Sequence, residues 1–157
     1  RDDLESGVVP DLSAYAKKNN PALTGNLSLG TSVTSDGGFG AVGTGLYVKA
    51  TGRSAHAEGQ SSVASGWTAH AEGLQTKASG DYSHAEGYGS SMGNVTVDNV
   101  TYIVGASGSA GHSEGENTIA AGNASHAEGQ GTVAIGAYTH VGGTYNIIDS
   151  DFSDFTE

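Results

Sequence analysis

Arg53-Ser-Ala-His-Ala-Glu-Gly-Gln-Ser-Ser-Val-Ala-Ser-Gly66 is followed without a break by Trp67-Thr-Ala-His-Ala-Glu-Gly-Leu-Gln-Thr-Lys-Ala-Ser-Gly80, and this pair of 14-residue lines decides the fold. The unit starts again at Asp81-Tyr-Ser-His-Ala-Glu-Gly87 and returns as Ser109-Ala-Gly-His-Ser-Glu-Gly-Glu-Asn-Thr-Ile-Ala-Ala-Gly122 and Asn123-Ala-Ser-His-Ala-Glu-Gly-Gln-Gly-Thr-Val-Ala-Ile-Gly136. All six histidines, His56, His70, His84, His112, His126 and His140, fall on one arithmetic progression whose step is the length of this unit. Glycine keeps half that period from Gly38 to Gly143, missing only at Asn94 and Thr101. Self-similarity at a short fixed period marks a stacked, quasi-one-dimensional architecture.

Within each half-unit, alternation assigns the faces, because successive side chains of a strand point to opposite sides. Ala57, Ala64, Ala71, Ala78, Ala85, Ala120, Ala127 and Ala134 share one face, while His56 with Glu58, or Val63 with Ser65, share the other. A glycine follows every short strand, where a turn needs positive φ or a close backbone approach. The seven-residue period is not a coiled coil, since a glycine in every heptad disfavours helix by about 1 kcal/mol each. The pattern is strand, turn, strand, turn, so that each unit makes one coil of a narrow roll around an interior of alanine. At a strand spacing of about 4.8 Å, the coils from Arg53 to Gly143 make a rod segment about 30 Å long. Alanine buries little apolar area against an ordering cost of about 1–2 kcal/mol per residue, so several chains are expected to pack side by side.

Composition agrees with a thin fold. Of 157 residues, 36% are hydrophobic, 26 are glycine and only three are phenylalanine, which is poor material for one thick core. The formal charge of −11 argues against nucleic acid and against anionic membrane surfaces. No apolar run approaches the roughly 20 residues that span a bilayer, so no membrane insertion is expected. With no cysteine, neither disulfides nor zinc-thiolate sites stabilise the chain.

The flanks differ from the repeat. Residues 1–35 read as an N-terminal connector: an N-cap and helix formers over Asp11-Leu-Ser-Ala-Tyr-Ala-Lys-Lys18, a stop at Asn20-Pro21, then an edge strand within Leu23-Thr-Gly-Asn-Leu-Ser-Leu-Gly30. Residues 36–143 read as the repeat domain, and 144–157 as a connector to a downstream region, the whole looking like an excised fragment. Inside the repeat, 88–107 lose the motif but keep the glycine phase. Asn94-Val-Thr-Val-Asp-Asn-Val-Thr-Tyr-Ile-Val-Gly105 fits either a degenerate coil with Asp98 in the histidine slot or a hairpin turning at Asp98-Asn99. Val100, Tyr102, Ile103 and Val104 favour packing of this stretch against a neighbouring chain over receptor contact.

Ser125-His-Ala-Glu-Gly129, Ala69-His-Ala-Glu-Gly73 and Thr132-Val-Ala-Ile-Gly136 resemble the head repeats of trimeric autotransporter adhesins. The His-Ala-Glu-Gly variant, with Asn20-Pro-Ala-Leu-Thr-Gly25 before it and Gly143-Thr-Tyr-Asn-Ile-Ile-Asp149 after it, is still more similar to bacteriophage and prophage tail-fibre or baseplate proteins. Two departures stand out: histidine replaces the usual apolar residue in alternate half-units, and 88–107 fit the pattern badly. The resemblance implies an all-β fold, a left-handed parallel β-roll solenoid with 14-residue coils, three chains to a head. It implies a trimeric tail fibre on a virion that attaches to a host, or, as the alternative, an adhesin head on a bacterial surface.

His and Glu two apart lie on one strand face, and stacking turns them into ladders. A solvated polar face, an interchain network and metal binding by converging imidazoles are the three roles open to them. The working hypothesis is the network, with Glu of one chain accepting a hydrogen bond from His of the next, over His56, Glu58, His70, Glu72, His84, Glu86, His112, Glu114, His126, Glu128 and His140. No metal and no cofactor are assigned. Trp67, Tyr82, Tyr88, Tyr102 and Tyr138 are the candidate surface contacts for a host glycan or protein receptor, with Tyr145 near the same turns, although rings at these turns more often cap the edges of the roll. An active site needs one constellation in one special environment, whereas this one recurs in coil after coil, so the chain is read as a scaffold and not as an enzyme.

Overall fold

The computed structural model describes residues 27–35, 40–89, 94–97 and 99–148. The helix expected at 11–18 and the end of the chain after Ile148 lie outside the described residues. One series of strands is the long arm of each coil: β1 (Leu27–Thr31), β2 (Val42–Leu46), β4 (His56–Gln60), β6 (His70–Leu74), β8 (His84–Tyr88), β12 (His112–Glu116), β14 (His126–Gln130) and β16 (His140–Val141). The short arms are β3 (Lys49–Ala50), β5 (Val63–Ala64), β7 (Lys77–Ala78), β11 (Gly105–Ala106), β13 (Ile119–Ala120), β15 (Val133–Ala134) and β17 (Ile147–Ile148). Between β8 and β11 stand β9 (Asn94–Val97) and β10 (Val100–Ile103).

Long arms pair only with long arms, in the order β1-β2-β4-β6-β8-β12-β14-β16, and short arms with short arms, from β3 through β5, β7, β11, β13 and β15 to β17. Every pairing in these two sheets is parallel, and the register is the repeat itself: His56 beside His70, Ala57 beside Ala71, Val63 beside Lys77. The all-β parallel solenoid with 14-residue coils is therefore as expected from the period. The first rung is slightly wider, since Leu27 pairs with Val42, one position beyond the repeat length. Pairing also reaches one rung beyond the repeat at each end, through β1 and through β17, whose Ile147 pairs with Val133.

The core is the alanine file. Ala57, Ala64, Ala71, Ala78, Ala106, Ala120, Ala127 and Ala134 are fully buried, and Ala85 nearly so. Among the described residues Val48 and Val141 are as deeply buried in this core, while Ile119 and Val133, in the slot that alternation assigned to the opposite face, are buried outside it. A second inward file at the corner, Ala55, Ala69, Ser83, Ser125 and Thr139, closes the interior. Its hydroxyls are satisfied locally: Ser83 donates to the Gly80 carbonyl at 2.6 Å, Ser125 to Gly122 at 2.7 Å and Thr139 to Gly136 at 2.7 Å.

The two glycine series do different work. At Gly73, φ is +109°, so this series bends the end of each long arm as expected of glycine. At Gly66 φ is unexceptional, and the absence of a side chain matters for space: a Cβ there would overlap the carbonyl of Gly80 on the next coil, lying 2.5 Å from its carbon. The left-handed turn residues beside these glycines are mostly not glycine. Ser54, Thr68, Tyr82, Ala110, Ala124 and Tyr138 all have φ between 50° and 61°, as do Tyr47, Ser61, Gln75 and Tyr145 at the other corner. Each such residue costs about 1–2 kcal/mol of backbone strain, but the turn aims its N–H along the rod. Thr68 donates to the Arg53 carbonyl at 2.8 Å and Tyr82 to Trp67 at 2.7 Å, each bonding to the coil before.

The irregular stretch is a hairpin and not a coil. Val97 pairs with Val100 and Asn94 with Ile103 in antiparallel register, with Asn99 at φ 63° in the turn. His84 pairs directly with His112, and Ala78 with Ala106, so the roll closes over the insertion. The degenerate-coil reading is thereby corrected: the histidine file has no slot left for Asp98, which itself lies outside the described residues. Gly89 donates to Leu74, as Gln75 does to Gln60 in the coil before, so the insertion departs from the corner after Gly89 and rejoins at Val104.

Candidate functional site

Parallel, in-register stacking of identical strands carries like residues into files at strand spacing. His56, His70, His84, His112, His126 and His140 form one continuous file of stacked imidazoles, with centroids 4.6–4.8 Å apart and ring planes within 9° of parallel. Below His56 the file ends, since its partner on β2 is Val42. Glu58, Glu72, Glu86, Glu114 and Glu128 form a second file two residues along each strand.

The two files are joined diagonally. Five of the six imidazoles reach back to the carboxylate of the previous rung: Nε2 of His70 to Glu58 at 3.6 Å, His84 to Glu72 at 3.2 Å, His112 to Glu86 at 3.3 Å, His126 to Glu114 at 3.9 Å and His140 to Glu128 at 3.3 Å, and His112 also lies 3.8 Å from Glu114 of its own strand. His84 and His112 make hydrogen bonds in this way. Carboxylate and imidazole thus meet within one chain, mainly between coils. Most of these side chains are about one-third exposed, while His140, at the end of the file, is 61% exposed.

Burial pushes the pKa of His70 below the ordinary imidazole value of 6.5, helped by the neighbouring His84 and His56 and opposed by Glu72 and Glu58. His126 is lowered for the same reasons, by burial first, then His112 and His140, against Glu114 and Glu128. Both rings are therefore held toward the neutral form. Their Nε2 atoms are also buried without a hydrogen-bond partner.

The aromatic set does not gather into one patch. Trp67 and Tyr82 stack with centroids 6.2 Å apart, and the Arg53 guanidinium lies 5.4 Å over the indole. The Trp67 amide donates to Asp81 Oδ1 at 2.9 Å, fixing this corner. Tyr138 occupies the same slot as Tyr82 but is separated from it by the rungs of Ala110 and Ala124. Tyr88 ends β8 beside Leu74, and the half-buried Tyr102 is on the hairpin. Tyr47, exposed and in the same corner slot as Tyr145, escapes the sequence reading, although it stands one full repeat before the Ser61 turn position and could have been placed there.

Residues 50–69, 57–76 and 113–139 match the family model of the YadA head domain repeat. The matched segments lie on either side of the inserted hairpin, on the coils that carry the His and Glu files. No curated protein and no solved structure matches the chain. The match is to the adhesin-head side of the resemblance read from the sequence, and nothing in it speaks for a tail fibre.

Proposed function

We propose that this chain is a rigid, non-enzymatic segment of a trimeric adhesin head displayed on a bacterial surface, holding weak surface contacts in multiple copies. The observation that carries the reading is the coincidence of the YadA head repeat with in-register 14-residue parallel coils. An alanine interior buries too little apolar area to make a single thin rod robust, which supports side-by-side chains. The His and Glu faces, one-third exposed in one chain, are the surface proposed to meet neighbouring chains. Three copies raise avidity without any new contact, and the exposed corner rings Trp67, Tyr82, Tyr138 and Tyr145 are the proposed points of contact with a host glycan or protein.

The test is the solution mass by light scattering, followed by binding to host cells and matrix proteins. A mass three times the 15.6 kDa chain, with binding that is lost in a Trp67→Ala and Tyr82→Ala double variant, is the expected result. A compact monomer would overturn the trimer and the interchain face together.

A further inference from the structure

The histidine and glutamate files repeat one constellation along the rod. His56, Glu58 and His70 offer two imidazole nitrogens and a carboxylate oxygen all within 4.8 Å of one another. The same grouping recurs in His70, Glu72, His84; in His84, Glu86, His112; in His112, Glu114, His126; and in His126, Glu128, His140. We propose that this face binds divalent late transition-metal ions such as Zn2+ or Ni2+, each held by the imidazoles of two adjacent coils and the carboxylate between them, at three ions per chain.

Donor chemistry selects the class of ion. Two nitrogens and one oxygen suit Zn2+, Ni2+, Cu2+ or Co2+, whereas Ca2+ and Mg2+ take shells of oxygen that a single carboxylate does not supply. A second observation points to a ligand: the buried Nε2 atoms of His70 and His126 have no hydrogen-bond partner, their carboxylates on the previous rung lying at 3.6 and 3.9 Å. An unpaired buried nitrogen is costly, and coordination would satisfy both. Both rings are held toward the neutral form by burial, which is the form that ligates. The carboxylates and the acidic chain as a whole draw cations to the face.

The number of ions follows from sharing. Each interior histidine belongs to two of the five groups but has one Nε2 to give, so adjacent groups cannot both be filled. Geometry enforces the same rule. Zinc with Zn–N bonds of about 2.0–2.1 Å holds donors about 3.4 Å apart, so two rings of the file must tilt together, which widens the gap to the next ring. Six histidines thus resolve into the pairs His56 with His70, His84 with His112 and His126 with His140.

The experiment is a titration of the untagged, chelator-treated full chain with Zn2+ by calorimetry, with bound metal counted by elemental analysis after dialysis. Three Zn2+ per chain is the expected result, with Ca2+ giving no heat. In a His70→Ala and His126→Ala double variant only His84 and His112 remain adjacent, so the count falls to one. Circular dichroism and solution mass establish that the variant keeps the fold. Because a damaged variant could lose sites indirectly, Co2+ added to the parent chain supplies a second readout, a visible absorption band of nitrogen and oxygen coordination saturating at three equivalents. No Zn2+ retained, or a count unchanged in the double variant, overturns the proposal. Two ions per chain overturns the pairing within a chain, because that ratio belongs to one ion per histidine layer shared by three chains at an axis.

Discussion

A methyl group added at Gly66 has nowhere to go. Its Cβ would overlap the Gly80 carbonyl on the next coil, 2.5 Å from the carbon and 3.1 Å from the amide nitrogen of Asp81. These are backbone atoms, fixed in turn by the next rung, so they cannot swing aside as a side chain would. Replacing glycine by alanine restricts the unfolded chain and alone would stabilise by about 0.4–1 kcal/mol. Forcing a methylene into a packed site costs about 1–3 kcal/mol, and a backbone obstacle puts this case at the upper end. The net expectation for Gly66→Ala is a loss of about 2 kcal/mol, or a fall in Tm of about 4–8 °C for a domain of this size. Gly142→Ala is the control, since the atoms nearest its Cβ belong to the Glu128 side chain, with Oε1 at 2.8 Å, which can rotate away by giving up its exposed contact with His140. That variant should stay within about 0.5 kcal/mol of the parent. Thermal melts by circular dichroism, at matched chain concentration because association stabilises by mass action, decide it. If Gly66→Ala melts no lower than Gly142→Ala, the two coils are not in the close contact on which the reasoning rests.

Stability should fall in acid: the lowered pKa values of His70 and His126 leave it unchanged above the unfolded value of 6.5, and it is lost as pH drops below 6.5 toward the folded values. Melts from neutral to about pH 5 should show Tm dropping over that window, and a Tm that rises in acid would mean that Glu58, Glu72, Glu114 and Glu128 outweigh burial. In the core, Ser113 Oγ meets the Thr118 hydroxyl at 2.6 Å, whereas the coil of Thr76 carries Ala71 in the place of that serine and the Thr76 hydroxyl has no partner. Ala71→Ser should supply one and raise stability by about 1 kcal/mol, and a lowered Tm would refute this. Deleting residues 90–103 takes out one repeat length and leaves Gly89 and Val104 as the two corner residues between β8 and β11. The shortened chain should keep the β spectrum and melt as one unit, while a loss of β signal would show that the hairpin is required for the coils to stack.

The period determined the fold. A 14-residue repeat with alanine on one face and glycine at each half-unit leaves one arrangement that buries the alanines, satisfies the backbone ladders and makes like residues stack. The alanine face was equally legible, because alternation within a strand is local: Ala57 and Ala71 are fully buried and His56 and His70 only partly, whereas Ile119 and Val133, which alternation sets on the opposite face, are buried as well. The histidine and glutamate files were legible as files, since spacing alone brings identical slots together.

Tertiary structure alone decided how those files connect. Sequence shows His and Glu two residues apart on one strand, without saying which carboxylate each imidazole meets. One coil's rise sets each imidazole from His70 to His140 against the carboxylate of the coil before, within the same chain. The fate of residues 88–107 was likewise not local. Both a coil and a hairpin preserve the glycine phase, and the choice depends on whether β8 pairs better with a degenerate strand or with the intact His112-Ser-Glu114 repeat two units further along. Long-range pairing of two good repeat strands won, which expelled the β-rich insert as a hairpin. Which glycines serve conformation and which serve space was hidden for the same reason: in the sequence they share one symbol, while the need for room at Gly66 arises only when the next coil is laid against it.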